Sequence, residues 1–298
     1  GKVSDSFGSV LDDNKIKSSK RIFLTATPKI MSRRVKKYAS ESQFMISSMD
    51  DENLFGRILY QLKFSEAIKL NILSEYQLIV IGVDDESIKK QISSRQLITN
   101  DGENILDAEK YASFVALVKA IENYDLKNII TFHSRIKDAK DFSENFESIT
   151  KNLIDSSTYG KDIICDHVSG NMSISQRNKR INALKTVEHN QTKILTNARC
   201  LSEGVDIPSL SGIAFIDPKY SQIDIIQAIG RAIRKSEDKS VGTIIIPIYL
   251  SNISELKDEI LEGKFKDVWR IILALKSQDD QLMESIDQLR INLGRKKP

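Results

Sequence analysis

Cysteine is almost missing from this chain. Cys165 and Cys200 are the only two among 298 residues, so no disulfide framework braces the fold, and neither sits in a CxxC pair of the kind that grips a metal or runs thiol exchange. Histidine is nearly as sparse: His133, His167 and His189 do not fall at metal-ligand spacing. Free, buried thiols in a reducing, cytoplasmic compartment are the expectation. Long hydrophobic runs are missing too. The longest, GTIIIPIYL at 242–250, has the length of a strand and falls well short of the ~18 residues a membrane-spanning helix needs, so no membrane partner is expected. Charge of one sign is absent as well. With 44 Lys and Arg against 41 Asp and Glu the net charge is +3, a balance that permits a nucleic-acid partner without requiring one. No repeat, low-complexity tract or signal-peptide pattern appears, and the first residue is glycine, which reads as a piece cut from a longer protein.

What is present is an ordinary globular composition, 40% hydrophobic and 29% charged, long enough for about two domains. RIFLTATP (21–28) reads as an apolar strand that stops at small hydroxyl residues and Pro28. FSEAIKLNIL (64–73) has helical spacing, and EYQLIVIGV (75–83) is a continuous apolar run of the kind found in strands covered on both faces. Residues 1–83 are therefore read as one segment and the polar stretch 84–109 as a linker. From 110 to 252 the strand-like runs NIITF (128–132), DIICDHV (162–168), KILTN (193–197), GIAFID (212–217) and GTIIIPIY (242–249) alternate with helical patterns. That order implies an α/β domain with a parallel sheet and helices on both faces. Residues 253–298 read as a helical extension, with Leu256, Ile260, Val268, Ile272 and Leu275 at helical spacing and Trp269 in its core.

In such sheets the working residues lie just past the carboxyl ends of the strands. TFHSR follows the first strand of this domain, with Ser134 placed to cap the next helix. HVSGNMSISQR follows the second, where Ser173 and Gln176 form a capping box that leaves Ser169 and Gly170 in a loop facing a helix start. LTNARCLSEGVDIP closes the third with Thr196, Gly204 and Asp206. Ser221 and Asp224 form a second capping box and open the helix that carries QAIGRAIRK (227–235). Any one of these is more often a turn or a cap; their placement in order along one sheet is what points to a site. In QAIGRAIRK, Gln227, Arg231 and Arg234 stand at i, i+4 and i+7, opposite Ile225, Ile226, Ile229 and Ile233. Gly230 in mid-helix costs about 1 kcal/mol relative to alanine, and the expectation is that it allows close backbone approach at a cleft.

Taken together, LTATPK, ITFHSR, HVSGNMS, TNARCLSEGVDIP and QAIGRAIR resemble motifs III, IV, IVa, V and VI of superfamily 2 helicases and translocases of the DEAD/DEAH type. MDDENLFGRILYQLKFSEAIKLNILSEYQLIVIGV further resembles the motors of restriction and phage-defence DNA enzymes. The resemblance implies two RecA-like domains that close on ATP and Mg2+, with nucleic acid, DNA by this likeness, running across both. A nuclease or methyltransferase, fused or as a partner, is implied in the same way. It assigns Arg231 and Arg234 as arginine fingers with Gln227 beside them, and places Gly204 and Asp206 near the nucleotide. Ser134, Arg135, Ser169, Gly170 and Thr196 would hold the nucleic-acid backbone. Thr25, Ala26 and Thr27 would couple the two sites.

The family's GxxxxGK[ST] phosphate loop and DExH carboxylates do not occur in this sequence. Residues 1–83 are therefore expected to be the tail of a first RecA-like domain, and 110–252 a whole second one. On this reading the chain is the C-terminal fragment of a motor, inactive as an ATPase alone. The alternatives are a degenerate RecA-like module that binds nucleic acid or a partner without turnover, and a small-molecule α/β enzyme. The second alternative lacks any GxGxxG fingerprint or Ser/His/Asp order of its own.

Overall fold

The apolar runs in the second half of the chain pair side by side into one sheet. The computed structural model describes residues 9–25, 28–42, 46–84, 108–150, 162–198, 200–201, 210–217, 221–236, 241–250, 266–279 and 282. The chain divides into two compact units, Gly1–Leu62 and Lys63–Pro298.

In the second unit six strands, β1 (Glu75–Asp84), β2 (Asn128–Phe132), β3 (Asp162–Val168), β4 (Gln191–Asn197), β5 (Gly212–Phe215) and β6 (Val241–Leu250), form a parallel sheet in the order β1-β6-β5-β2-β4-β3. Successive strand side chains point to opposite faces, and here they sort cleanly into two cores. Ile130, Phe132, Leu195, Ile213, Phe215, Ile244 and Ile246 belong to one cluster, and their neighbours Ile129, Ile194, Ala214 and Ile245 belong to the other. Helices α4 (Ala108–Tyr124) and α5 (Ile136–Thr150) cover the second face. Helices α6 (Ile174–Ala183), α7 (Gln222–Ala232) and α8 (Lys266–Lys276) cover the first. Both expected capping boxes are present, Ser173 with Gln176 at the start of α6 and Ser221 with Asp224 at the start of α7.

Three expectations fail. The run 75–83 does not belong to the first segment: as β1 it is the edge strand beside β6, and the division between units falls at Leu62 and Lys63. A parallel strand with a fully apolar face must be buried in a sheet, and the first unit has none among its described residues. The described part of RIFLTATP is likewise no strand; residues 21–25 are irregular, with Ile22 and Leu24 exposed, since a strand requires a neighbour to take its backbone hydrogen bonds. Trp269 is 39% exposed; α8 turns Val268, Ile271, Ala274 and Leu275 inward instead. Within the linker and the tail, 85–107, Leu256 and Ile260 lie outside the described residues.

Residues near the start of the second unit are tied to residues just past α8. Helix α3 (Phe64–Lys69) starts with the Phe64 amide donating to the carbonyl of Gln278 at 2.9 Å, and the Tyr76 hydroxyl at the start of β1 donates to Asp279 Oδ2 at 2.6 Å. Burial and the Asp279 charge push the Tyr76 phenol well above its ordinary value.

In the first unit, α1 (Arg33–Glu41) is capped by Ser32, and a one-turn helix, α2 (Glu52–Phe55), is capped by Asp51. Ser48, buried, accepts from the Met31 amide at 2.9 Å and donates to Asp50, whose other oxygen takes Lys36 Nζ at 2.5 Å. Those bonds from Lys36 and Ser48 hold the Asp50 carboxyl below its usual range.

Gly242 opens β6 directly beneath the end of α7. A Cβ there would stand 2.4 Å from the Ala232 carbonyl oxygen and 3.0 Å from its carbon. Both are backbone atoms that cannot rotate away, so Gly242→Ala should cost about 1–3 kcal/mol, towards the upper end. A lowered urea midpoint at unchanged denaturant slope is the expected result.

Candidate functional site

The strand register sets one row across the sheet. Val168 of β3, Asn197 of β4, Phe132 of β2 and Phe215 of β5 are paired neighbours, so the residues that follow them emerge together at the carboxyl edge. There the His133 amide donates to the Asn197 carbonyl at 2.9 Å, and the Ile216 amide to the Phe132 carbonyl at 3.1 Å. The Ser134 hydroxyl donates to Asp217 Oδ2 rather than capping α5. Arg135 and Gly170 are exposed, Ser134 is half-buried, and Ser169 is only 4% exposed. A Cβ on Gly170 would meet nothing within 4 Å. Arg180 of α6 closes the end of β3, donating to the His167 carbonyl and lying 3.3 Å from Asp166.

Thr196 does not join that surface. It is fully buried, and its hydroxyl donates to the Ala139 carbonyl of α5 at 2.7 Å. A hydroxyl has one proton to give, so the contact with His167 Nδ1 at 3.2 Å is donated by the imidazole, which fixes the tautomer. His133, 2% exposed, holds Thr131 Oγ1 at 2.9 Å through Nε2 and lies against the Phe142 ring. Burial, then the charge of His167, lowers the His133 pKa from 6.5 to about 3. Burial and the Arg180 charge lower that of His167 as well. Both imidazoles are neutral structural groups inside the fold.

Asn197, the neighbour of Thr196, went unnoticed in the sequence. It is fully buried, donating through Nδ2 to the Thr131 carbonyl at 3.0 Å, yet its Oδ1 has no donor among the described residues. The buried Oε1 of Gln227 on α7 is in the same state. Unmatched buried acceptors are rare in folded proteins and cost about 1–3 kcal/mol each. Asp217 also went unnoticed, hidden in a strand-like run.

The arginines lie at the opposite edge. Helix α7 ends at Ala232, with Ile233 as its C-cap, beside Gly242 at the amino end of β6. Arg234 is therefore past the helix and does not continue its stripe. It pairs in an isolated antiparallel bridge with Leu73, while the Ser74 amide donates to the Ile233 carbonyl at 2.8 Å and the Ser74 hydroxyl to the Arg234 carbonyl at 3.3 Å. Arg234 is exposed, and Arg231 is buried at 8% exposure. The inward set Ile225, Ile226, Ile229 and Ile233 is buried as its spacing requires. Gly230 is not at a close backbone approach among the described residues: a Cβ there would meet only the edge of the Phe64 ring, at 4.0 Å. Along α7 the rise from Gln222 to Ala232 is about 15 Å, so the guanidinium end and the carboxyl-edge loops form two separate places.

Thr25 is exposed in the first unit, while Ala26, Thr27, Gly204 and Asp206 lie outside the described residues. Cys165 and Cys200 are free and partly buried. Burial raises both thiols, Cys200 to about 11, and the Cys200 thiol donates to the Val168 carbonyl at 3.3 Å, so neither is poised as a nucleophile.

Residues 110–236 match the helicase conserved C-terminal domain. A probable helicase of African swine fever virus (isolate Tick/Malawi/Lil 20-1/1983) is 25% identical over 275 residues, which is 91% of this chain and 27% of that protein. A killer plasmid pGKL-2 helicase of Kluyveromyces lactis is 23% identical over 294 residues, 92% of this chain and 47% of that one. Among solved structures, the ATP-dependent Type ISP restriction-modification enzyme LlaBIII bound to DNA superposes with a TM-score of 0.78 at 32% identity, over 96% of this chain and 19% of that chain. The chain spans about a quarter of the length of its viral relative, and its parallel sheet with helices on both faces is RecA-like.

Two outcomes follow from this geometry. Below pH 6.5 an unfolded chain takes up the His133 proton that the folded chain refuses down to about pH 3. Stability is therefore full above about pH 6.5 and falls on acidification, by up to about 1.4 kcal/mol per pH unit for this one group. Urea midpoints at pH 7.5, 6 and 5 should show a steeper decline for the natural chain than for His133→Phe; equal slopes would refute the assignment. Gly230→Ala, with room for its methyl, should stabilise the helix by up to about 1 kcal/mol, in contrast to the same change at Gly242.

Proposed function

Because this chain belongs to the superfamily 2 helicases as their C-terminal part, we propose that it is the second half of an ATP-driven motor that tracks along DNA. The observation that carries this reading is Arg234. Its backbone is held by the segment before β1, through the bridge to Leu73 and the bond from Ser74, while its side chain is exposed. A guanidinium on a fixed backbone is suited to meet charge that develops on a phosphoryl group, because its planar fork stays charged and binds two oxygens at once. Gln227 and the buried Arg231 support it from α7. Gly204 and Asp206 belong to the nucleotide side of this proposal, and Thr25, Ala26 and Thr27 to its coupling.

At the carboxyl edge Arg135 and Gly170 meet the nucleic-acid backbone, with Ser134 and Ser169 shaping the loops around them. Contacts of this kind address phosphates, not bases, so binding is salt-sensitive and indifferent to sequence. The likeness to a restriction-modification enzyme solved on DNA supports proposing DNA as the track and a nuclease or methyltransferase in the same assembly. No group of three or more His, Cys, Asp or Glu among the described residues fits a metal ion. Mg2+ would accompany ATP in the full-length parent. The proposal includes that this chain alone does not turn over ATP.

Burial of Arg231 favours a second reading for that residue, as a brace for α7 in a module without turnover. The two readings separate in the full-length parent. Arg234→Ala should leave ATP binding nearly intact and lower hydrolysis by roughly 10³–10⁵, the range of arginine fingers. Arg234→Lys should not restore it. Arg231→Ala should lower both hydrolysis and melting temperature, since its side chain is buried. Near-normal turnover by Arg234→Ala would overturn the arginine-finger assignment, and magnesium-dependent hydrolysis by the present chain alone would overturn the assignment of a missing half-site.

A further inference from the structure

Beyond Lys29, which ends LTATPK, helix α1 carries a cluster of positive charge that no helicase motif covers. Residues 29–41, KIMSRRVKKYASE, contain five basic residues and one acidic, a surplus of four, whereas the whole chain nets +3. The remainder is therefore at −1. Helix α1 presents that charge to solvent. At about 100° per residue, Arg33, Lys37 and Arg34 fall within an arc of roughly 100° directly opposite Ala39, the residue that α1 buries, and Tyr38 borders the arc. Arg33, Arg34, Lys37 and Lys29 are exposed, and Tyr38 is 64% exposed.

The arrangement is not explained by stability of the helix. Arg33 and Arg34 occupy the first turn, where the helix dipole disfavours cations, and no acidic residue stands there to offset them. Among the described residues, only Lys36 of this helix, on the flank towards Ser48, is committed to a close ion pair, with Asp50 at 2.5 Å. Lys37 has a surface contact with Glu41 at 3.8 Å, a separation worth little in water. The cations are gathered on the outward face and kept off the inward one.

We propose that the outward face of α1, formed by Arg33, Arg34 and Lys37 with Tyr38 beside them, is a second nucleic-acid contact, binding the phosphate backbone. This inference rests on the nucleic-acid reading above and extends it to the first unit. A cluster of cations with an exposed aromatic ring fits a chain of phosphates carrying stackable bases, the ring adding a sequence-tolerant contact. An acidic protein surface would match the charge but would leave Tyr38 without a role.

The test uses the complete chain and fluorescein-labelled oligonucleotides, single-stranded and duplex, titrated from 50 to 300 mM salt. Each phosphate neutralised on a duplex adds about 0.9 to the slope of log K against log salt. Arg33→Ala/Arg34→Ala/Lys37→Ala should weaken binding on the order of tenfold or more at low salt and reduce the slope by about 2 to 3. Lys119→Ala/Lys127→Ala/Lys140→Ala removes the same charge from exposed positions elsewhere and should leave the slope within one unit of the natural chain. Restoring the cations as Arg33→Lys/Arg34→Lys should keep the slope, and circular dichroism checks that α1 is retained. An unchanged slope in the first triple variant overturns this site while the carboxyl-edge contacts stand. Equal losses in the two triples overturn it in favour of overall charge. Competition by poly-glutamate as effective as by DNA overturns it in favour of an acidic protein. A natural chain that binds no oligonucleotide overturns both this site and the nucleic-acid reading beneath it.

Discussion

At the amino edge of the sheet the Ala232 carbonyl stands where a Cβ on residue 242 would be, and the placement of the arginine end follows from that contact. Because β6 opens without a side chain, the last turn of α7 settles directly onto the sheet. Its next residues then reach the segment before β1, where Ser74 takes the Ile233 carbonyl and Leu73 pairs with Arg234. A helix end lifted by one methyl would carry Ile233 away from Ser74 and release the bridge. The exposed guanidinium is thus positioned by packing at a residue eight positions further along the chain.

The same sheet separates two kinds of chemistry. Polar loops gather at the carboxyl edge because the strands end there in register, and the arginines gather at the amino edge because α7 runs back against the strand direction. Between them, Thr131, Thr196, His133 and His167 form a neutral polar layer under α5. Its groups bond to one another and to the Ala139 carbonyl beneath the helix. The unmatched oxygens of Asn197 and Gln227 lie on the other face, on the side of α6 and α7.

Much of this was legible in the residues. The strands at 128–132 and 162–168 have the bounds their apolar runs suggest, and both capping boxes formed, because short-range pattern and side-chain chemistry determine them. What could not be read was which face of the sheet a residue enters. Thr196 occupies a motif position that resembles a nucleic-acid contact, but alternation along β4 directs it under α5. Arg234 continued a helical spacing only on paper, since the helix stops where it meets β6. Trp269 went astray for a similar reason: periodicity identifies a stripe, while tertiary packing decides which stripe is buried. The placement of 75–84 required knowing a partner strand more than 150 residues away.

The bonds that join Phe64 to Gln278 and Tyr76 to Asp279 have a mechanical meaning. They bring Phe64 and Gln278, early and late among the unit's described residues, to one spot, so the segment between them closes on itself. A unit built this way behaves as an insert: neighbouring sequence can be lengthened or exchanged without reaching the sheet. Tension applied along the chain would load those few bonds at the gate and bypass the six strands. Under a load applied between those two points, the folded sheet is spared the tension that its own chain transmits.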